Sequence, residues 1–149
     1  MLTGRLSAGA QPWLADHVIG TAILFPAPGS SSSRCAPATR SAATRSRSLT
    51  IEAPLILPER GGVAVQVVVG APEDGRRTVS IYSRGDDDLA WTRHAAGVLG
   101  TASAAFDLTE WPPRGAEAID VSGTYEGLAE AGLAYGPTFR GLRVRVAGR

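Results

Sequence analysis

Between Val63 and Leu99 the chain alternates apolar runs with turn chemistry, and that pattern admits little besides an antiparallel sheet. Val63 to Val69 is Val and Ala throughout, with Gln66 its single polar member. Thr78-Val79-Ser80-Ile81-Tyr82-Ser83 alternates polar and apolar residues, so each set lies on its own face of a strand. Between them, Ala71-Pro72-Glu73-Asp74-Gly75-Arg76 carries the Pro and Asp-Gly of a hairpin loop. Trp91 to Leu99 follows the acidic turn Asp86-Asp87-Asp88 as a further strand, and Ile51 to Leu57, closed by Pro58, precedes the others. The expectation is a curved antiparallel meander with edge strands near Arg5 and near Val144. Such a sheet needs a helix or a second sheet on its apolar face.

The flanking regions differ in character. Residues 101–117 are loop-like, with Pro112-Pro113 as a breaker. Ile119 to Leu133 reads as a helix, with Ser122 as N-cap, Tyr125, Leu128 and Ala129 on one face, and Gly132 at its end. Residues 27–50 are dominated by Ser, Arg, Ala and Thr, lack Asp and Glu, and show no periodicity before Leu49, which reads as linker. The 149 residues suit one domain with a real core, and 44% are apolar.

Charge and cysteine content narrow the function classes. A net charge of +1, with every basic residue an Arg, gives no basic patch for nucleic acid or a membrane surface. Val18 to Pro28 is too short to span a bilayer and has neither a basic leader nor a cleavage site, so a cytoplasmic protein is expected. The lone Cys35 excludes an internal disulfide and a multi-cysteine metal site.

Few residues offer chemistry. His17 follows Asp16 and precedes the apolar, glycine-bearing Val18-Ile19-Gly20. Such surroundings can desolvate an imidazole and suit it to general-base work, and they equally suit a structural histidine. His94, in a strand whose polar residues alternate outward, is read as having no chemical role. Asp86-Asp87-Asp88 is read as a solvated turn rather than a cation site. Ser30 to Ser33 form no nucleophile elbow, and Gly61-Gly62 no phosphate loop.

Taken together, several strings resemble the dehydratase domains of modular type I polyketide synthases. They are Leu2-Thr3-Gly4-Arg5-Leu6-Ser7, Pro12-Trp13-Leu14-Ala15-Asp16-His17, Ile51-Glu52-Ala53-Pro54-Leu55, Thr78 to Arg84, Trp91 to Ala95 and Tyr135 to Leu142. That family's motif H-x-x-x-G-x-x-x-x-P matches at His17 and Pro26, with Thr21 at the glycine position and Gly20 one place early. The resemblance implies that His17 is the base removing the α-proton of a β-hydroxyacyl thioester. It also implies that Gly20, Pro26 and the Y-G-P-x-F residues Tyr135, Gly136, Pro137 and Phe139 lie beside the substrate.

The implied fold is α+β, the N-terminal half of a double hot-dog. Residues 1–118 would form the first subdomain, and 119–149 an inter-subdomain helix and the start of the second. The family's second catalytic residue is an Asp in the C-terminal subdomain, whose motif lies beyond Arg149, and its opening strand lies before Leu2. The implied reaction is dehydration to an α,β-enoyl thioester without a cofactor, the substrate riding on the phosphopantetheine of an acyl carrier protein. Other polyketide synthase domains are the implied neighbours, with homodimerisation open. Two further readings stand beside it: a non-catalytic or pseudogene fragment, and a single hot-dog module that binds acyl thioesters.

In the resembled fold the segment after Pro26 is the long central helix, and the sequence from Pro26-Ala27-Pro28-Gly29-Ser30 onward cannot form it: two prolines, a glycine and a serine run supply poor propensity and no apolar stripe. A GC-rich back-translation with one C restored after the Phe25 codon reads F-P-G-T-G-F-V-E-L-A-L-R-A-G-D-E, a family-like helix. Removing one C before Leu49 returns the register. The expectation is that residues 27–48 are out-of-frame translation and that the central helix is disrupted.

Overall fold

The computed structural model describes residues 1–27, 29, 44–101 and 109–147. Strand β1 (Leu2–Leu6) is followed by a 3-10 turn at Pro12–Asp16 and by the hairpin β2 (His17–Ile19) and β3 (Ala22–Leu24). Then come β4 (Thr44–Ile51), β5 (Ile56–Leu57), β6 (Val63–Val69), β7 (Arg77–Gly85) and β8 (Thr92–Thr101). The chain continues through β9 (Glu117–Ile119), helix α1 (Thr124–Glu130), β10 (Leu133–Tyr135), a second 3-10 turn at Pro137–Phe139 and β11 (Arg145–Ala147).

These strands form a five-stranded antiparallel sheet in the order β1-β6-β7-β8-β4, a four-stranded sheet β10-β2-β3-β5 and the pair β11-β9. The expected meander is its centre. Asp74 and Gly75 both take positive φ, 48° and 71°, the pairing a two-residue hairpin needs to follow the strand twist. The register this sets, Val69 against Val79 and Val67 against Ile81, buries Val79, Ile81 and Ser83 and leaves Thr78 and Arg84 exposed. At the β4–β8 seam the strands approach so closely that a side chain on Gly97 would strike the Ser48 carbonyl.

Four expectations are corrected. Ile51 to Leu57 is not one strand: β4 ends at Ile51, and β5 belongs to the other sheet. Pro54 has no N–H to give a ladder, and the amides of Glu52 and Ala53 turn instead to the His94 carbonyl, at 2.8 and 3.3 Å. The linker reading fails from Thr44 onward, where pairing with β8 makes a strand of a segment with little apolar content of its own. The helix is shorter than 119–133 because Asp120 accepts both the amide and the hydroxyl of Ser122, and Gly123, not Ser122, is the N-cap, at φ 72°. Its expected ends are the strands β9 and β10. The strand near Val144 pairs with β9 rather than edging the main sheet. The segment after Pro26 that was expected to lack the central helix, with Ser30 to Ser33 and Cys35, falls largely outside the described residues.

Leu14, in the first 3-10 turn, is fully buried and packs with Leu55, Leu57 and Val63. Leu6 and Val65 from the large sheet and Ile23 and Phe25 from the small one close around it. One core therefore fixes the β2–β3 hairpin against the main sheet.

Candidate functional site

His17 opens β2, and the β2–β3 register, Val18 against Ile23 and Ile19 against Ala22, sets it across from Leu24. Its Nδ1 lies 2.9 Å from the Leu24 carbonyl oxygen. A carbonyl can only accept, so in the neutral ring Nδ1 holds the proton and Nε2 holds the lone pair. The hairpin that sets this distance turns through Gly20 and Thr21. Only Gly20 takes a positive φ, 61°, as a turn with glycine in its first loop position requires. Thr21 can therefore stand at the motif's glycine position without opening the turn.

The imidazole borders a cleft of about 400 Å³ whose walls include Ile19, Leu24, Phe25, Leu55 and Pro54. Among the described residues its polar contributors are His17, Glu52 and His94. Glu52 is engaged elsewhere, accepting from Arg93 Nε at 2.7 Å. The cleft can thus take an apolar chain and present the His17 imidazole to it.

On the ring's other sides stands the segment 135–139. Tyr135 pairs with His17 across β10 and β2, ring centroids 5.5 Å apart, and Phe139 comes to 4.9 Å. Phe139 in turn meets Trp13 at 6.3 Å. Asp16 ties this segment down. Its carbonyl accepts the Gly136 amide at 2.8 Å, and its carboxylate accepts the Thr138 amide at 3.0 Å. The Thr138 hydroxyl, and then that amide, hold the Asp16 carboxyl below the ordinary aspartate range.

The residues expected beside the substrate lie around His17, outside the walls of this cleft. None of Gly20, Pro26, Tyr135, Gly136, Pro137 or Phe139 lines the cleft. Gly20 is exposed at the hairpin tip, its amide on the Gly132 carbonyl at 2.7 Å. Pro26 is buried next to Phe25, whose amide bonds the Leu55 carbonyl at 2.8 Å. Tyr135 and Phe139 flank the imidazole, and Gly136 and Pro137 shape the turn between them.

His94 is not outward. It is buried, with Nε2 2.7 Å from Ser83 Oγ and Nδ1 3.2 Å from the Ala53 carbonyl oxygen. The register of β7 and β8 jumps here, with Ile81 against Ala95 but Tyr82 against Arg93, so His94 is the extra residue of a bulge. A bulge re-aims its side chain, and strict alternation then misassigns the face. The acidic turn is structural: Asp86 holds Arg5 through both carboxylate oxygens, at 2.7 and 2.6 Å, and Asp88 accepts the Gly85 amide.

Sequence patterning does not single out Asp16, Ser83 or the Leu24 carbonyl. The one available signal was the adjacency of Asp16 to His17.

Residues 1–84 match the family model described as polyketide synthase dehydratase domain, and residues 103–147 match the polyketide synthase dehydratase N-terminal domain. The polyketide synthase GfsA of Streptomyces halstedii is 47% identical over 151 residues, covering 96% of this chain and 2% of its own length. The solved dehydratase domain from the terminal module of the rifamycin polyketide synthase is 41% identical with a TM-score of 0.85, over 97% of this chain and 54% of that one. The dehydratase of the curacin CurK module, with a TM-score of 0.80 and 26% and 25% identity, was solved as two inactive mutants. One replaces an aspartate by asparagine, the other a histidine by phenylalanine, and this chain covers 54% of each. The chain thus spans about half of the solved dehydratase domains and a small part of the curated synthase. The likeness sets its antiparallel sheets among dehydratase hot-dog domains.

Proposed function

The chain belongs to the polyketide synthase dehydratase domain family, and on that premise we propose that its cleft receives a β-hydroxyacyl thioester whose α-proton His17 removes. The observation that carries this is the orientation of one ring. The Leu24 carbonyl takes the Nδ1 proton, so the Nε2 lone pair is left on an imidazole that borders an apolar cleft. A base so placed contributes about 10²- to 10⁴-fold to a proton abstraction. The electrons of the broken α-C–H bond form the double bond, the β-C–O bond breaks, and the hydroxyl leaves as water after taking a proton from an acid.

Glu52, the carboxylate on the cleft wall, is paired with Arg93 and is poorly suited to be that acid. In our reading the acid is an aspartate from a C-terminal subdomain, as the sequence resemblance implies. The inactive histidine and aspartate mutants of the curacin dehydratase support a two-residue division of labour. The substrate arrives on the phosphopantetheine of an acyl carrier protein in the cytoplasm, among the other domains of a synthase. The elimination is redox-neutral, and the reading assigns it no cofactor. His17→Ala in a domain completed with the second subdomain tests this reading, with loss of turnover of a β-hydroxyacyl-pantetheine substrate expected. Undiminished turnover overturns it.

A further inference from the structure

His94 borders the same cleft as His17, and the reaction proposed above gives it no part. Both its ring nitrogens are engaged, by Ser83 Oγ at 2.7 Å and the Ala53 carbonyl at 3.2 Å. Because the carbonyl only accepts, Nδ1 donates to it and Nε2 of the neutral ring accepts the Ser83 hydroxyl. The backbone carbonyl of His94 meanwhile receives the Glu52 and Ala53 amides. One residue thus grips the crossing segment Glu52–Ala53 by side chain and main chain, which its place in the β7–β8 bulge makes possible.

The grip continues toward His17. Leu55 accepts the Phe25 amide at 2.8 Å, Ile56 pairs with Leu24, and the Leu24 carbonyl holds the His17 Nδ1 proton at 2.9 Å. We infer that His94 is a positioning residue for His17. It fixes segment 52–55, and through Leu55 and Phe25 the Leu24 carbonyl, where the His17 proton stays on Nδ1 and the lone pair on Nε2. The functional weight of this rests on reading His17 as the base; the geometry it predicts does not.

The test is nitrogen NMR of the 149-residue chain at about pH 8, where imidazoles are neutral, comparing His94→Phe, His94→Asn and Ser83→Ala with the parent. His94→Phe keeps a planar ring and loses both bonds, while His94→Asn keeps a donor for the Ala53 carbonyl. Expected for His94→Phe is a tautomer ratio at His17 about tenfold less in favour of Nδ1–H, and Glu52 and Ala53 amides that exchange about tenfold faster, as the loss of one buried hydrogen bond implies. The Val67 and Ile81 amides of the β6–β7 hairpin should not change, and His94→Asn should restore the parent's His17 signals. If His94→Phe leaves the His17 tautomer as in the parent, the inference falls, whatever happens at Glu52 and Ala53. Should His94→Phe unfold the hairpin, Ser83→Ala decides: a smaller shift of the same sign at His17 supports the inference, and none overturns it. Failure of His17→Ala to abolish turnover overturns the base assignment alone.

Discussion

Gly136 donates its amide to the Asp16 carbonyl at 2.8 Å, and any side chain at its α-carbon would run into the Asp16 carboxylate. Its φ of −79° suits every residue, so the glycine serves contact rather than conformation. That contact lets the turn at Pro137–Phe139 sit on the residue preceding His17, with Tyr135 and Phe139 against the imidazole. Gly136→Ala should therefore overpack the junction and destabilise the chain by about 1–3 kcal/mol. Thermal unfolding measures the loss, and the ring proton shifts of His17 should move with it. An unchanged melting temperature would mean that the segment is not docked as described.

The same junction makes stability depend on acid. The Asp16 carboxyl is held low by the Thr138 hydroxyl and then by the Thr138 amide. A carboxyl depressed in the folded state contributes stability above its unfolded value, about 3.9, and loses it as pH falls through the folded value. Urea unfolding at about pH 5 should separate the parent from Asp16→Asn, and the gap should shrink as pH falls below the unfolded value of about 3.9 and on through the lower folded one. A gap that holds constant on acidification would assign the effect to shape rather than charge.

Much of the sheet was legible because β7 obeys period two, β6 is an apolar run, and the Asp74-Gly75 turn fixes their register. What was not legible depends on partners distant in sequence. Thr44–Ile51 becomes a strand by pairing with β8, and His94 turns inward at a bulge that no local pattern marks. The helix lost its first residues to an Asp120–Ser122 turn whose polar chemistry resembles a cap. At the site, His17 was legible through its motif. The atom that orients it, the Leu24 carbonyl, is a backbone group that only a known hairpin register can locate.

Residues 27–48 carry a prediction about the gene rather than the present chain. Resequencing the locus is expected to find a cytosine after the Phe25 codon if the shift is an error of reading, and its absence marks a mutation in the organism. Either way, the chain re-encoded with that base restored, and the compensating base before Leu49 removed, should be the more stable of the two. The restored segment carries the apolar stripe that the present one lacks, worth about 1.5–3 kcal/mol for each large side chain it buries. Denaturant midpoints compare the two chains, and equal midpoints would dispose of the frame-shift reading.

Turnover supplies the sharpest prediction, because base and acid are separable. The described cleft offers an oriented imidazole and one carboxylate already paired with Arg93. Proton abstraction without protonation of the departing hydroxyl leaves the β-C–O bond intact, so the 149-residue chain alone should not dehydrate a β-hydroxyacyl-pantetheine thioester. Joined to a C-terminal subdomain from a related dehydratase, it should turn over, and His17→Ala in that joined protein should lower kcat by about 10²- to 10⁴-fold. His17→Ala should leave KM nearly unchanged, since the apolar walls that bind the acyl chain stay in place. Detection of the enoyl product by its absorbance follows the isolated and joined proteins, each with and without His17→Ala. If the isolated chain is as fast as the joined one and His17→Ala silences both, the acid lies within these residues and the division between two subdomains is wrong. If the joined protein is indifferent to His17→Ala, the base lies elsewhere.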